Sequence, residues 1–139
     1  LHPVHWYSMP PLLKLWLDDV FAFGWAYGAG ANALAGKDLW LVASSGGPES
    51  SYRPDGYNRH FFGAYLHPYE QTAALVHMRW LPPLVLHGAH LVDEPTLAAH
   101  AELFAQRLAS WPESAGWPDL AGLAPTPVCD VPADTRPQG

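Results

Sequence analysis

Two short segments carry the residue types from which a site for a planar ligand could be built. HPVHWYS, residues 2–8, places flat aromatic surface on a loop that Pro3 and the pair Pro10–Pro11 stiffen. SSGGPESSY, residues 44–52, is a run of small residues. Its backbone N–H groups can approach a ligand closely, because glycine has no side chain to block the approach. A planar, hydrogen-bonding, redox-active ring is a ligand that needs both features. Tight turns beside a core tryptophan are the alternative interpretation.

Alternating helices and strands are predicted to position these segments. The apolar run Leu39–Ala43 is typical of a strand buried on both faces. Pro82 and Pro83 place a later strand at a sheet edge, and LHPV at residues 1–4 resembles the end of an earlier strand. The predicted elements are helices at 9–23, 68–77 and 93–110 and strands at 39–43 and 80–87. The first helix is expected to have Ser8 or Met9 as its cap, and one face formed by Leu13, Trp16, Val20 and Phe21.

This alternation predicts an α/β fold with a doubly wound parallel sheet. In such sheets ligands bind beyond the carboxyl ends of the strands. Both segments follow predicted strands, so both are expected at that edge. Residues 1–111 are assigned to the domain. Residues 112–139, in which proline recurs without periodicity, are expected to be a disordered tail.

Composition excludes several classes of function. Charged residues make up 14% of the 139 residues, against roughly 25% in an ordinary domain, while there are seven Trp and six Tyr. A weakly charged, aromatic-rich chain of this kind indicates an interface or a ligand pocket. The net charge of −6 leaves no basic stripe for a nucleic acid. The lone Cys129 fits a reducing cytoplasm.

The eight histidines do not predict a metal site. His2 with His5, and His87 with His90, have H-x-x-H spacing, but no carboxylate cluster completes either set. We therefore expect no metal. The serines of the second segment lack the G-x-S-x-G pattern that a hydrolase would show.

Three stretches, in order, carry a family resemblance. PVHWYSMPPLLKLWLDDVFAFGWAYG, ALAGKDLWLVASSGGPESSYRPDGYNR and PYEQTAALVHMRWLPPLVLHGA resemble the flavodoxin-like NAD(P)H:quinone oxidoreductases. Within that family the similarity is greatest to the bacterial ancillary subunits of glutathione-regulated potassium-efflux systems. The resemblance runs over residues 1–111. It implies a flavodoxin-like sheet from which the first strands and helices are missing, and no glycine-rich phosphate loop occurs in the sequence.

The resemblance also implies a site for FMN. The residues matched to the two loops around the flavin ring are Pro3, His5, Trp6, Tyr7 and Ser8 in the first and Ser44, Ser45, Gly46 and Gly47 in the second. Tyr52 matches a tyrosine that stabilises charge on the reduced flavin and contacts substrate. Tyr27 matches an aromatic residue that a neighbouring subunit contributes to the substrate pocket. Asn58 stands where the mammalian enzymes have a catalytic histidine, and an amide cannot relay a proton near neutral pH. His60 or solvent would then supply the proton.

The activity implied is two-electron reduction of quinones by NAD(P)H through FMN, with both substrates using one surface in turn. A homodimer in the cytoplasm, or at the inner membrane through a partner, is expected. The alternative is a regulatory ancillary subunit that binds the cytosolic domain of a potassium/proton antiporter and activates it. A third interpretation is an inactive, truncated fragment.

Overall fold

The computed structural model describes residues 1–113 and residue 117. Helices and strands alternate as predicted, in an α/β arrangement. The strands are β1 (His2–Pro3), β2 (Asp38–Ser44) and β3 (Arg79–Leu86), and the helices are α1 (Pro11–Val20), α2 (His67–Leu75) and α3 (Glu94–Ser110). Short 3₁₀ turns lie at Glu49–Ser51 and Phe62–Tyr65. The predicted tail lies almost wholly outside the described residues.

The three strands form one parallel sheet in the order β1-β2-β3. Pro3 pairs with Ser44, and Ser44 pairs with Leu86, so the carboxyl ends of all three strands are aligned. Within the described part of the chain, β3 is an edge strand, as its two prolines predict. The loops that follow β1 and β2 therefore leave the sheet side by side, which brings the two ligand-binding segments together.

A buried arginine fastens α3 to the edge strand. Arg107 is 5% exposed. Its Nη1 atom donates to the carbonyl oxygens of Pro82 at 3.0 Å and Pro83 at 3.1 Å. The prolines have no N–H that could donate to another strand. Their carbonyl oxygens accept from Arg107 rather than from a neighbouring strand. Together these features protect the edge from pairing with a further chain.

The first helix is shorter than predicted. It runs over Pro11–Val20, so the predicted boundaries at 9 and 23 are wrong. Pro10 is the N-cap rather than Ser8 or Met9, and its ψ of 148° is extended. That conformation follows from the steric restriction that Pro11 places on the residue before it. At the other end, Phe21 leaves helical geometry with a ψ of 66°. In α1 no residue is buried, and Trp16 and Val20 of the predicted apolar face are exposed.

The core contains residues of β2 and of the second loop. It is formed by Leu41, Ala43, Tyr52, Phe62, Leu66 and Tyr69. Tyr52 belongs to this cluster although it follows a 3₁₀ turn in a loop, and its ring meets Phe62 edge to face at 5.0 Å. The loop is consequently anchored in the core at its far end, which fixes the position of the residues between Ser45 and Tyr52.

Candidate functional site

A tight turn at His5–Ser8 presents two aromatic side chains. The His5 N–H donates to the Ser8 carbonyl at 3.0 Å, and the Ser8 N–H donates to the His5 carbonyl at 2.9 Å. Between them, Trp6 and Tyr7 have φ values of 48° and 63°. Positive φ at both central residues is the pattern of a type I′ turn. In residues other than glycine it costs about 1–3 kcal/mol each, and such strain clusters at functional sites.

The second loop folds closely on itself at a glycine, and any larger residue there would displace its neighbours. A Cβ atom on Gly47 would lie 2.9 Å from Ser51 Oγ and 3.4 Å from the Tyr52 hydroxyl. Pro48, with a φ of −67° and a ψ of 158°, then directs the chain into the 3₁₀ turn. Gly47 therefore permits the close approach of backbone and side chains that forms the wall of the site.

A cleft of about 540 Å³ lies between these two loops. It brings together five residues predicted from the sequence: Trp6, Tyr7, Gly47, Tyr52 and Asn58. It also contains four that sequence reasoning missed: Val4, Pro48, Ser51 and Tyr57. None of these nine lining residues carries a charge. A neutral, aromatic-walled cleft with a few polar groups suits a planar organic ring rather than a phosphate.

Five hydrogen-bond donors beside the cleft have no partner among the described residues. They are the backbone N–H groups of Trp6, Tyr7, Gly46 and Gly47 and the hydroxyl of Tyr52. Trp6 is 93% exposed and Gly46 is also exposed, so water reaches these donors, and they are open to a ligand that carries acceptors. The Tyr52 hydroxyl is not sealed from solvent, although the ring that carries it belongs to the core.

Asn58 connects the two loops. Its Oδ1 atom accepts from the Tyr7 hydroxyl at 3.1 Å, and its Nδ2 atom donates to Ser51 Oγ at 2.9 Å. Ser51 Oγ in turn donates to the Pro48 carbonyl at 2.7 Å, and the Tyr65 hydroxyl donates to the Asn58 carbonyl at 2.9 Å. Both polar ends of the Asn58 amide are thus engaged in fixing the shape of the cleft.

Several residues matched by resemblance lie outside the lining of the cleft. They are Pro3, His5, Ser8, Ser44, Ser45, Gly46 and Tyr27. His5 and Ser8 close the tight turn, while Ser45 is a buried residue of the second loop. Tyr27 packs edge to face on Phe23 at 5.7 Å, away from the cleft. His60 is exposed and does not line the cleft.

Burial sets the protonation of two groups next to the site. The pKa of Tyr65 is raised by burial, and the neighbouring Tyr7 and Tyr52 add to the effect. The pKa of His87 is lowered by burial, and Glu49 acts in the opposite direction. Both groups are accordingly neutral at neutral pH.

Two further properties concern the part of the chain that the structure describes. No cluster of three or more histidine, cysteine or acidic residues there could hold a metal ion. None of the described helices combines the length and apolarity that crossing a bilayer requires.

A family and a curated relative match the chain. Residues 1–108 match a family model described as a flavodoxin-like fold. The glutathione-regulated potassium-efflux system ancillary protein KefF of Citrobacter koseri is 44% identical over 113 residues. The alignment covers 81% of this chain and 63% of that protein, so the chain spans less than two thirds of its relative's length.

Three solved structures are similar in fold and sequence. General stress protein 14 of Treponema denticola, in complex with FMN, is 34% identical with a TM-score of 0.70, over 78% of this chain and 62% of that one. An NADPH-quinone reductase from P. pentosaceus is 28% identical with a TM-score of 0.72, over 76% and 62%. A protein described as a thermophilic tryptophan halogenase from Streptomycin violaceusniger is 37% identical with a TM-score of 0.74, over 77% and 62%. The match over residues 1–108, together with these similarities, shows that the chain belongs to the flavodoxin-like fold family.

Proposed function

We propose that the chain provides the ring-facing part of an FMN-dependent NAD(P)H:quinone oxidoreductase. The observation that carries the proposal is the cleft itself, in which aromatic walls lie beside hydrogen-bond donors that no described residue occupies. A flavin ring is planar, stacks on aromatic side chains and presents carbonyl oxygens and ring nitrogens along its edge. A similar protein bound to FMN and another described as an NADPH-quinone reductase support the same ligand and reaction.

The residues present fit the ring of FMN and not its phosphate. Trp6 and Tyr7 offer stacking surface, and the N–H groups of Gly46 and Gly47 offer donors to its polar edge. The cleft has no lysine, arginine or histidine in its lining, so nothing there would neutralise a phosphate. The phosphate group would have to be held elsewhere.

The net reaction is NAD(P)H plus a quinone plus a proton, giving NAD(P)⁺ and a hydroquinone. FMN, when bound, supplies the two-electron hydride chemistry that links the two halves. The Tyr52 hydroxyl would donate a hydrogen bond to the bound ring where negative charge develops, and a donor already in place would lower the barrier. Asn58 holds Tyr7 and Ser51 in position, and solvent supplies the proton. The open face of the cleft receives NAD(P)H and quinone in turn.

An activity assay with a matched pair of tryptophan variants tests this function. The purified protein is supplied with FMN, NADH or NADPH and a soluble quinone, and oxidation of the nicotinamide is followed. We expect FMN-dependent turnover with parallel initial-rate lines. Trp6→Ala should lose most of it, whereas Trp111→Ala, which removes a half-exposed tryptophan that follows α3, should not. Absence of FMN-dependent turnover with either nucleotide would reject the proposal.

A regulatory role is the second candidate, and the similarity to KefF favours it. In this case the chain binds the cytosolic domain of a potassium/proton antiporter and activates it, at the inner membrane rather than free in the cytoplasm. Co-purification with that domain, together with potassium efflux measured with and without the protein, tests the role. Efflux that is unchanged by the protein would exclude it. Because quinone reduction and activation can coexist, each is measured separately.

We also propose that the protein is a homodimer. The exposed apolar residues of α1 and the segment after it, Leu12, Leu15, Trp16 and Phe23, offer a surface for a second copy. Tyr27 would then reach the partner's substrate pocket. Light scattering over a wide concentration range measures the oligomeric state, and a monomer throughout would contradict the proposal.

A further inference from the structure

A hydrogen bond joins Ser45, in the second loop, to His87, the residue after β3. The site described above does not use this pair. Ser45 is 2% exposed. Its hydroxyl donates to the Gly47 carbonyl at 3.0 Å and lies 2.9 Å from Nδ1 of His87. A serine has one hydroxyl hydrogen, and here it is directed to Gly47. Both contacts are hydrogen bonds at once when the His87 Nδ1 atom carries the hydrogen of the second.

This pair holds Gly47 through its carbonyl oxygen, and neither member of the pair lines the cleft. The Gly47 carbonyl accepts a second bond, from the Gly88 N–H at 2.9 Å. The backbone of Ser45 is itself tied on both sides, to Leu86 and to Ala89, at 2.9 Å each. The loop after β2 is consequently fastened to the loop after β3, while the N–H groups of Gly46 and Gly47 stay unpaired among the described residues.

We propose that His87 is a positioning residue for the flavin ring, acting through Ser45 on the Gly46–Gly47 backbone. The inference rests on the proposed flavin function. Glycine has the largest conformational freedom of any residue, so a Gly-Gly segment presents its N–H groups in one direction only if it is held there. Ordering it beforehand removes a cost that binding would otherwise include. His87 does not line the cleft, and it acts on the ligand only through this chain of bonds.

His87 also packs against aromatic side chains, so a purely structural role must be distinguished. Its ring lies 4.9 Å from that of Phe62 and 5.4 Å from that of Tyr52. His87→Leu keeps apolar bulk and removes the Nδ1 donor. His87→Asn keeps a donor close to the Nδ1 position. Leu84→Ala, at a residue of β3 that is 5% exposed, lowers stability without touching the bonds.

The first measurement needs no ligand. Backbone ¹⁵N relaxation reports the mobility of the Gly46 and Gly47 amides in the folded protein. We expect both amides to become more mobile in His87→Leu, and to remain as in the original protein in His87→Asn and Leu84→Ala. Equal mobility in all four proteins would overturn the proposal, as would a gain in Leu84→Ala as large as that in His87→Leu.

The second measurement is a titration with lumiflavin, which carries the ring without the ribityl phosphate. His87→Leu should weaken binding by about two- to tenfold, the range for one lost hydrogen bond, and His87→Asn should restore most of it. Binding that is equal in His87→Leu and the original protein overturns this inference and leaves the proposed function standing. No lumiflavin binding by the original protein overturns both.

Discussion

The two halves of the cleft should be thermodynamically coupled through Asn58. The perturbation is Asn58→Leu, which keeps the branching and the number of side-chain heavy atoms and removes both side-chain hydrogen bonds, to Tyr7 at 3.1 Å and to Ser51 at 2.9 Å. The backbone bonds of Asn58, from its N–H to Ser51 and from Tyr65 to its carbonyl, remain. The main chain is thus held while the amide is lost.

The expected magnitude follows from the exposure of each bond. A typical hydrogen bond contributes about 0.5–1.5 kcal/mol net. The bond from Tyr7 is exposed, so solvent replaces much of it, and about 0.5 kcal/mol is assigned to it. The bond to Ser51 is partly buried and is assigned about 1 kcal/mol. Asn58→Leu should therefore lower the free energy of unfolding by about 1.5 kcal/mol.

Double-mutant cycles in urea isolate each term. Tyr7→Phe with Asn58→Leu, and Ser51→Ala with Asn58→Leu, should show coupling energies of about 0.5 and 1 kcal/mol. Asn58→Asp should retain the first coupling and lose the second, because a carboxylate accepts from Tyr7 but cannot donate to Ser51. Tyr57→Phe is the control, since that hydroxyl has no partner among the described residues. Couplings below about 0.3 kcal/mol, the usual error of additivity, would refute the reasoning.

Three further outcomes are expected. In a protein that holds FMN, Tyr52→Phe should slow flavin reduction in stopped flow by up to about 10²-fold while the ring stays bound; unchanged kinetics would remove Tyr52 from the reaction. Gly47→Ala should weaken lumiflavin binding in fluorescence titrations more than Gly46→Ala, because its new Cβ meets atoms at 2.9 Å rather than 3.4 Å; the reverse order would contradict the geometry. Burial lowers the pKa of His87 below 6.5, with Glu49 opposing, so the unfolded chain binds the proton more tightly. Stability should fall as the pH drops below about 6.5 toward the folded pKa, and thermal melts of His87→Asn should show a smaller fall; an identical pH profile would show that His87 does not contribute.

The arrangement of the elements could be predicted because it depends on local patterns. The apolar run at Leu39–Ala43 and the prolines at 82 and 83 indicate a central and an edge strand, and the sheet order agrees. Both segments proposed for the ligand leave the same edge of the sheet, because parallel strands align their carboxyl ends. The predicted ends of the first helix are wrong because apolar periodicity continues past Pro10 and Phe21, where the backbone leaves helical geometry.

The polar connections of the site could not be read from spacing. Tyr7 and Asn58 are 51 positions apart, and Ser45 and His87 are 42 apart. Which donor meets which acceptor depends on register and loop shape, and the alternatives differ by single hydrogen bonds. Asn58 was accordingly interpreted from its place in a motif, whereas the structure shows its amide joining two loops. His87 was considered only as half of an H-x-x-H pair.

Titration with lumiflavin shows whether the cleft holds a flavin ring. Because lumiflavin lacks the phosphate, its binding reports only the surface formed by the two loops. We expect one ring bound per chain, with quenched flavin fluorescence. Trp6→Ala should weaken the affinity by about tenfold, in the range of an aromatic stacking contact, and Trp111→Ala should leave it unchanged. No binding, or equal affinity in the protein and in Trp6→Ala, would contradict the claim.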